Sequence, residues 1–337
     1  MDYEISIIKA VLHILDNNIT VPVLSETELE IESEISELFE KYIAKVLEDN
    51  NLKNASFTGD SNRVRYLCSV LNASSENFLD TSHEIAAMLF DIMVKHVDIS
   101  PADLICCLFS LNHEMHFGIF KLNYKTGFTH FVQHTDEGNS NTIIRHRTLL
   151  PSEGQKVDEC ALINLENFTL KVLEKQYEID GEKEFYLSKM FLSCSTDLSN
   201  NAKLKILDRV TQKINEKYFD EGFDKVAAIK KVVTESLEEA SAIKVDNLVE
   251  RVFENNLDIQ KEYIEEVQKA GLMEEAISIP ETLAVKRFGT HKIKTDIGVE
   301  ISFPSSLYDD KDKIEFVNNP DGTISIIIKN VGKITNK

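Results

Sequence analysis

Apolar positions along this 337-residue chain change their spacing several times, and each change marks an expected element. Ile5 to Leu15 is tightly apolar and closes on Asp16-Asn17-Asn18, a turn signal, with Val21-Pro22-Val23-Leu24 as a short extended piece. Ser25, with Glu28 three residues on, has the form of a capping box. Leu29, Ile31, Ile35, Leu38, Phe39, Tyr42, Ile43, Val46 and Leu47 then recur mostly at helical spacing, which predicts a helix to about Glu48. Residues 50–62 are polar and read as a loop. Helices resume at about 62–71 and 80–97, the second burying Ile85, Met88, Leu89, Ile92, Met93 and Val97.

From Ala102 to about Phe191 the pattern is that of strands. Leu104–Leu111, His116–Tyr124, Phe128–His134, Thr142–Leu149, Cys160–Leu165 and Phe168–Tyr177 are short runs rich in β-branched and aromatic residues. Lys125-Thr126-Gly127 reads as a hairpin turn, with glycine able to take positive φ. Short sequential connections predict an antiparallel meander with the preceding helices on one face, an α+β arrangement. Helices return over about 199–217, with Ser199 as cap, and over 221–240, 246–254 and 258–270, the last ended by Gly271. A small strand-rich segment closes the chain: Ile297–Phe303, Ile314–Val317 and Thr323–Val331, with a turn at Asn319-Pro320-Asp321-Gly322. Three domains are therefore expected: an N-terminal α+β domain over 1–195, a helical domain over 196–278 and a small β-rich domain over 279–337.

Composition narrows the classes. No run approaches the roughly 18 apolar residues of a membrane helix, and Met1-Asp2-Tyr3-Glu4 carries acid where an export signal carries base, so an intracellular chain with no membrane partner is expected. Cys68, Cys106, Cys107, Cys160 and Cys194 show no Cys-x-x-Cys spacing and read as reduced, buried thiols. Net charge is −20, which opposes general coating of nucleic acid. The acid is uneven, however. Ser25 to Glu34 alone carries five carboxylates, whereas residues 280–337 hold nine Lys and Arg against eight Asp and Glu. A local basic surface is compatible with that distribution.

Candidate chemistry is sparse. His113, His116, His130, His134 and His146 crowd the strand region; His130 and His134 share a strand face, and pairing about Lys125–Gly127 would bring His116 near His134. A zinc site needs three or four converging ligands, so unliganded surface histidines are the preferred reading and no metal or other cofactor is assigned. There is no Gly-x-Ser-x-Gly elbow and no glycine-rich phosphate loop, and no catalytic residue is assigned either. Lys205, Arg209, Lys213 and Lys217 recur every four residues beside an apolar stripe of Leu207, Val210 and Ile214. Such a helix would bury one side and present a row of cations able to follow a phosphate backbone, though Asp208 and Glu216 partly neutralise it and a plain solvated face is the alternative. The helices at 246–254 and 258–270 have helix-turn-helix lengths, but Asp258, Glu262, Glu265 and Glu266 would repel phosphates, so they read as packing or partner-binding elements. Lys286, Arg287, His291, Lys292 and Lys294 form a further basic patch, read as the polar rim of a small sheet.

Several strings resemble a known family. Phe117-Gly118-Ile119-Phe120-Lys121-Leu122-Asn123-Tyr124 with Phe128-Thr129-His130-Phe131-Val132 is similar to the central region of the 37-kDa bacterial nucleoid-associated protein family. Leu150-Pro151-Ser152-Glu153-Gly154-Gln155-Lys156, Ala161-Leu162-Ile163-Asn164-Leu165, Phe191-Leu192-Ser193-Cys194 and Ala10-Val11-Leu12-His13-Ile14-Leu15-Asp16 resemble it as well. The resemblance spans essentially the whole chain. It implies a cytoplasmic, nucleoid-associated protein with a non-enzymatic role, acting through DNA or DNA-handling proteins, and transfers no functional residue. The leading expectation is DNA binding through a confined patch at Lys205, Arg209, Lys213 and Lys217. The alternatives are an acidic adaptor brought to the nucleoid by DNA-processing proteins, with Glu26–Glu34 and the 258–270 helix as docking faces, and a metal-dependent enzyme built on the strand histidines. Homo-oligomer formation is open in each case.

Overall fold

The computed structural model describes residues 3–335 except Asp60, Glu137, 220–222, Ser241, Asn255, Glu275 and Asp309. Two compact units divide the chain, Met1–Ser199 and Asn200–Lys337. Helices and antiparallel strands make up both, so the protein is of the α+β class.

Unit 1 runs β1 (Ile5–Leu15), α1 (Ser33–Leu47), β2 (Lys53–Phe57), α2 (Arg63–Ala73), α3 (Phe78–Lys95), β3 (Ala102–Leu111), β4 (Glu114–Asn123), β5 (Lys125–Thr135), β6 (Gly138–Leu149), β7 (Glu159–Asn164), β8 (Leu170–Leu173), β9 (Tyr177–Ile179), β10 (Glu182–Glu184) and β11 (Cys194–Thr196). Seven of these strands form one antiparallel sheet in the order β1-β3-β4-β7-β8-β2-β11. Side chains alternate across a strand, yet the middle of β3, Leu104 to Phe109, is apolar without a break. Both of its faces are covered: Leu104, Cys106 and Leu108 join the core made by α2 and α3, while Ile105, Cys107 and Phe109 join the core under α1. Phe39, Tyr42, Ile43 and Val46, at the spacing of one helical stripe, seal the second face. Burial on both faces is why the strands lack polar alternation.

Four expectations need correction. The helix expected from Ser25 begins at Ser33, after Glu32. The Ser25 amide donates to His13 Nδ1 at 3.1 Å, and the Leu29 amide donates to the Ala10 carbonyl at 2.8 Å, so residues 25–32 are spent on β1 rather than on a helical turn. The supposed loop over 50–62 contains β2, which sits inside the sheet between β8 and β11; its polar Lys53 is matched by Glu174 at 2.9 Å, so polarity did not mark a loop. Helices cover both faces of the sheet rather than one. Finally, Lys125-Thr126-Gly127 is not a hairpin turn within the meander. Beyond Asn123 the chain leaves the sheet as β5 and returns as β6, the two pairing only with each other among the described residues, and the neighbour of β4 becomes β7.

The returning segment is anchored to α1. Tyr42 donates its hydroxyl to the Pro151 carbonyl, Lys41 pairs with Glu153 at 2.8 Å, and Lys156 pairs with Asp49 at 2.6 Å.

Unit 2 comprises α4 (Asn200–Tyr218), α5 (Phe223–Ala240), β12 (Ala242–Lys244), α6 (Val245–Phe253), α7 (Leu257–Lys269), β13 (Ala276–Ser278), α8 (Glu281–Phe288), β14 (Thr290–Lys294), β15 (Glu300–Pro304), β16 (Ile314–Asn318) and β17 (Ile324–Ile328). The final segment thus contains a helix, α8, as well as strands. Its small sheets pair β14 with β15 and β16 with β17. Gly271, at φ 92°, ends α7 as expected. Its amide donates to the Gln268 carbonyl, and the Leu272 amide donates to the Val267 carbonyl, the paired bonds of a Schellman cap, with Leu272 and Val267 both buried.

Candidate nucleic-acid interface

Leu204, Leu207, Val210, Thr211 and Ile214 bury one side of α4, and the opposite side carries Lys205, Arg209, Lys213 and Lys217, all exposed. α7 packs beside it through Ile259, Tyr263 and Val267, and the Tyr263 hydroxyl lies 3.0 Å from Thr211 Oγ1. That packing brings two carboxylates of α7 onto the cationic row. Glu266 pairs with Lys213, and Glu262 pairs with Lys217 at 2.7 Å. The hydrogen bond to Glu262 raises the Lys217 pKa, and the same bond lowers that of Glu262, the sign expected of a genuine pair. Lys205 and Arg209 have no ion pair among the described residues. Of the two acids expected to neutralise the row, Asp208 is taken by Arg287 at 2.6 Å. The row is therefore two different halves: one free, at Lys205 and Arg209, and one held, at Lys213 and Lys217.

The C-terminal basic patch disperses. Arg287 is bound to Asp208, Lys294 pairs with Glu300 at 3.5 Å, and His291 is buried against Phe303 and Tyr308. Burial, and then the nearby Lys230 charge, lower its pKa to about 4, so at neutral pH it adds no cation.

The strand histidines separate. His116 pairs across β4 with Asn164 and stacks on Phe109, whereas His134 sits on the β5–β6 hairpin opposite Asn139, so the expected approach of His116 to His134 does not occur. Among the described residues no three His, Cys, Asp or Glu side chains converge as a metal site requires. Cys68, Cys106, Cys107 and Cys160 are buried, and burial pushes their thiols well above the ordinary value, to about 12 for Cys68. Such thiols are poor nucleophiles at neutral pH. No helix among the described residues is long and apolar enough to cross a membrane.

One surface was missed by the reading of cationic rows. β5 and β6 contain no carboxylate, and the hairpin's two acids, Asp136 and Glu137, fall between the strands. Every residue of β6 is exposed. Arg145 lies directly opposite Phe128, and Ile143 opposite His130. The available signal was the near-absence of acid from this segment, whose strands Lys125–Thr135 and Gly138–Leu149 hold none of the 57 acids of the chain.

Fold and surface together define a class: an acidic α+β protein of two units with exposed cations along α4 as its candidate surface. Residues 11–336 match the family model described as nucleoid-associated protein YejK, so the chain belongs to that nucleoid-associated family. The match covers nearly the whole chain and bears out the resemblance carried by the central strand residues. No curated protein matches the chain significantly.

Proposed function

We propose that this is a non-enzymatic, cytoplasmic protein of the bacterial nucleoid that contacts DNA directly through a confined cationic surface on α4. The observation that carries the reading is the exposure of Lys205 and Arg209, one helical turn apart, with no carboxylate partner among the described residues. Lys213 and Lys217 form the weaker half of the site because Glu266 and Glu262 already compete for them. A net charge of −20 disfavours coating of DNA by the whole surface, which is why contact is restricted to a patch. Lys205→Glu with Arg209→Glu removes two phosphate contacts, and each contact contributes about 0.9 to the slope of log affinity against log salt. Binding of the full chain to duplex DNA should weaken and its salt dependence should flatten by about 2. Unchanged affinity and slope would remove α4 from the interface.

A second reading, an adaptor recruited by DNA-processing proteins, is favoured by one feature. Glu26, Glu28, Glu30, Glu32 and Glu34 all stand exposed, with Glu28 bound to Lys9 at 2.7 Å. Purified protein that ignores DNA at low salt, yet binds a DNA-processing enzyme until these acids are neutralised, would select the adaptor.

A further inference from the structure

The β5–β6 hairpin has no role in the sheet that the rest of unit 1 builds. Among the described residues it pairs only with itself, and an uncovered two-stranded ribbon contributes little stability of its own. Yet it holds large apolar side chains in water: Phe128 is 73 % exposed and Ile143 is 76 % exposed. Exposed apolar residues gathered on one element mark a contact surface.

Charge says what kind of contact. The chain is strongly acidic, but neither ribbon strand contains a carboxylate, and β6 carries Arg145 and Arg147. Lys125, at the base, is already held by Asp158 at 2.7 Å. By register, Phe128, His130, Ile143 and Arg145 share one face, so apolar and cationic groups are interleaved there. That combination matches duplex DNA. The major groove admits a two-stranded ribbon, its phosphate walls take arginine, and thymine methyls on its floor take apolar side chains. An 11-residue strand extends about 35 Å at roughly 3.3 Å per residue, close to one turn of the duplex. A second copy of the chain is a poorer occupant, because a two-fold contact of this face with itself sets like charges together.

We infer that the β5–β6 ribbon is a second DNA-contacting element, lying along the major groove with Phe128, Ile143 and Arg145 turned toward the bases and backbone. The inference rests on the reading that the chain touches DNA directly, but not on α4 being the place of contact.

The test is a fluorescence-anisotropy titration of the full chain against a duplex of about three turns over a range of salt concentrations, with sedimentation of each variant. Arg145→Ala with Arg147→Ala is expected to weaken binding and flatten the salt slope by about 2. Phe128→Ser with Ile143→Ser is expected to weaken binding with the slope unchanged. All four side chains are exposed, so folding should survive, and thermal melting checks it; replacing 128–146 by a two-residue turn is the independent variant. Wild-type binding by the ribbon variants, with Lys205→Glu/Arg209→Glu impaired, overturns the ribbon and leaves α4 standing. The reverse pattern supports the ribbon and removes α4. Wild-type protein without salt-dependent binding defeats both. Loss of binding that accompanies dissociation of an oligomer also overturns the inference, because the ribbon would then join copies of the chain.

Discussion

His13 is fully buried between a donor and a hydroxyl. Its Nδ1 accepts the Ser25 amide, and its Nε2 lies 3.0 Å from Ser82 Oγ, which itself donates to the Leu79 carbonyl. The imidazole is therefore neutral with its proton on Nε2, and a second proton would meet the Ser25 amide head-on. Burial, and then His83, lower its pKa to about 4 from an ordinary 6.5. Between those values the unfolded chain takes up a proton that the folded chain refuses. The stabilising effect is complete above about 6.5 and is lost as pH falls toward 4, up to about 3 kcal/mol at 1.36 kcal/mol per unit. Asp103, raised to about 6 by burial, has the opposite sign, favouring the fold at the acid end. Denaturant titrations at pH 7 and 5 should show a smaller pH dependence for His13→Asn than for wild type. An imidazole that titrates near 6.5 by NMR would refute the assignment. Lys121 offers a second test. It is 1 % exposed and pairs with the fully buried Glu159 at 2.9 Å, with Asn123 and the Tyr177 hydroxyl completing the network. Lys121→Met alone should cost about 3–5 kcal/mol in chemical denaturation by stranding Glu159, and Lys121→Met with Glu159→Met together should cost much less.

Elements carry the functional consequences. α7 restrains α4 electrostatically, so neutralising it should strengthen the proposed interface. Glu262→Gln with Glu266→Gln frees Lys217 and Lys213, and DNA affinity should rise with a salt slope steeper by about 2. Unchanged binding would confine the α4 part of the contact to Lys205 and Arg209. The α4 row itself was legible because a four-residue repeat of cations beside an apolar stripe survives any packing. Its division into free and held halves was not legible, since Glu262 and Glu266 come from a helix some fifty residues away. The same limit hid β2, five residues whose strand character comes from two neighbours distant in sequence.

At the scale of the molecule, the expected boundary at 195/196 lies close to the division at Ser199, while the expected boundary at 278/279 lies inside unit 2. There α8 packs on α5, and Arg287 reaches Asp208, tying the last segment to the helices. Truncation resolves the domain count: 1–199 and 200–337 should each unfold cooperatively, and 200–278 should be less stable than 200–337 when followed by circular dichroism. Equal stability of the two unit 2 fragments would make 279–337 a domain by itself.

Local physics alone determined the α+β class, the helices α2 to α7 to within a few residues, the Gly271 cap and the cationic row, because periodicity and capping are properties of neighbouring residues. Tertiary structure decided the rest. It chose which acids reach which cations, put helices on both faces of the sheet and pulled Ser25 away from its helix toward His13. It also released β5 and β6 from the meander, because strand pairing is settled by competition among all strands for partners and not by the residues of any one of them.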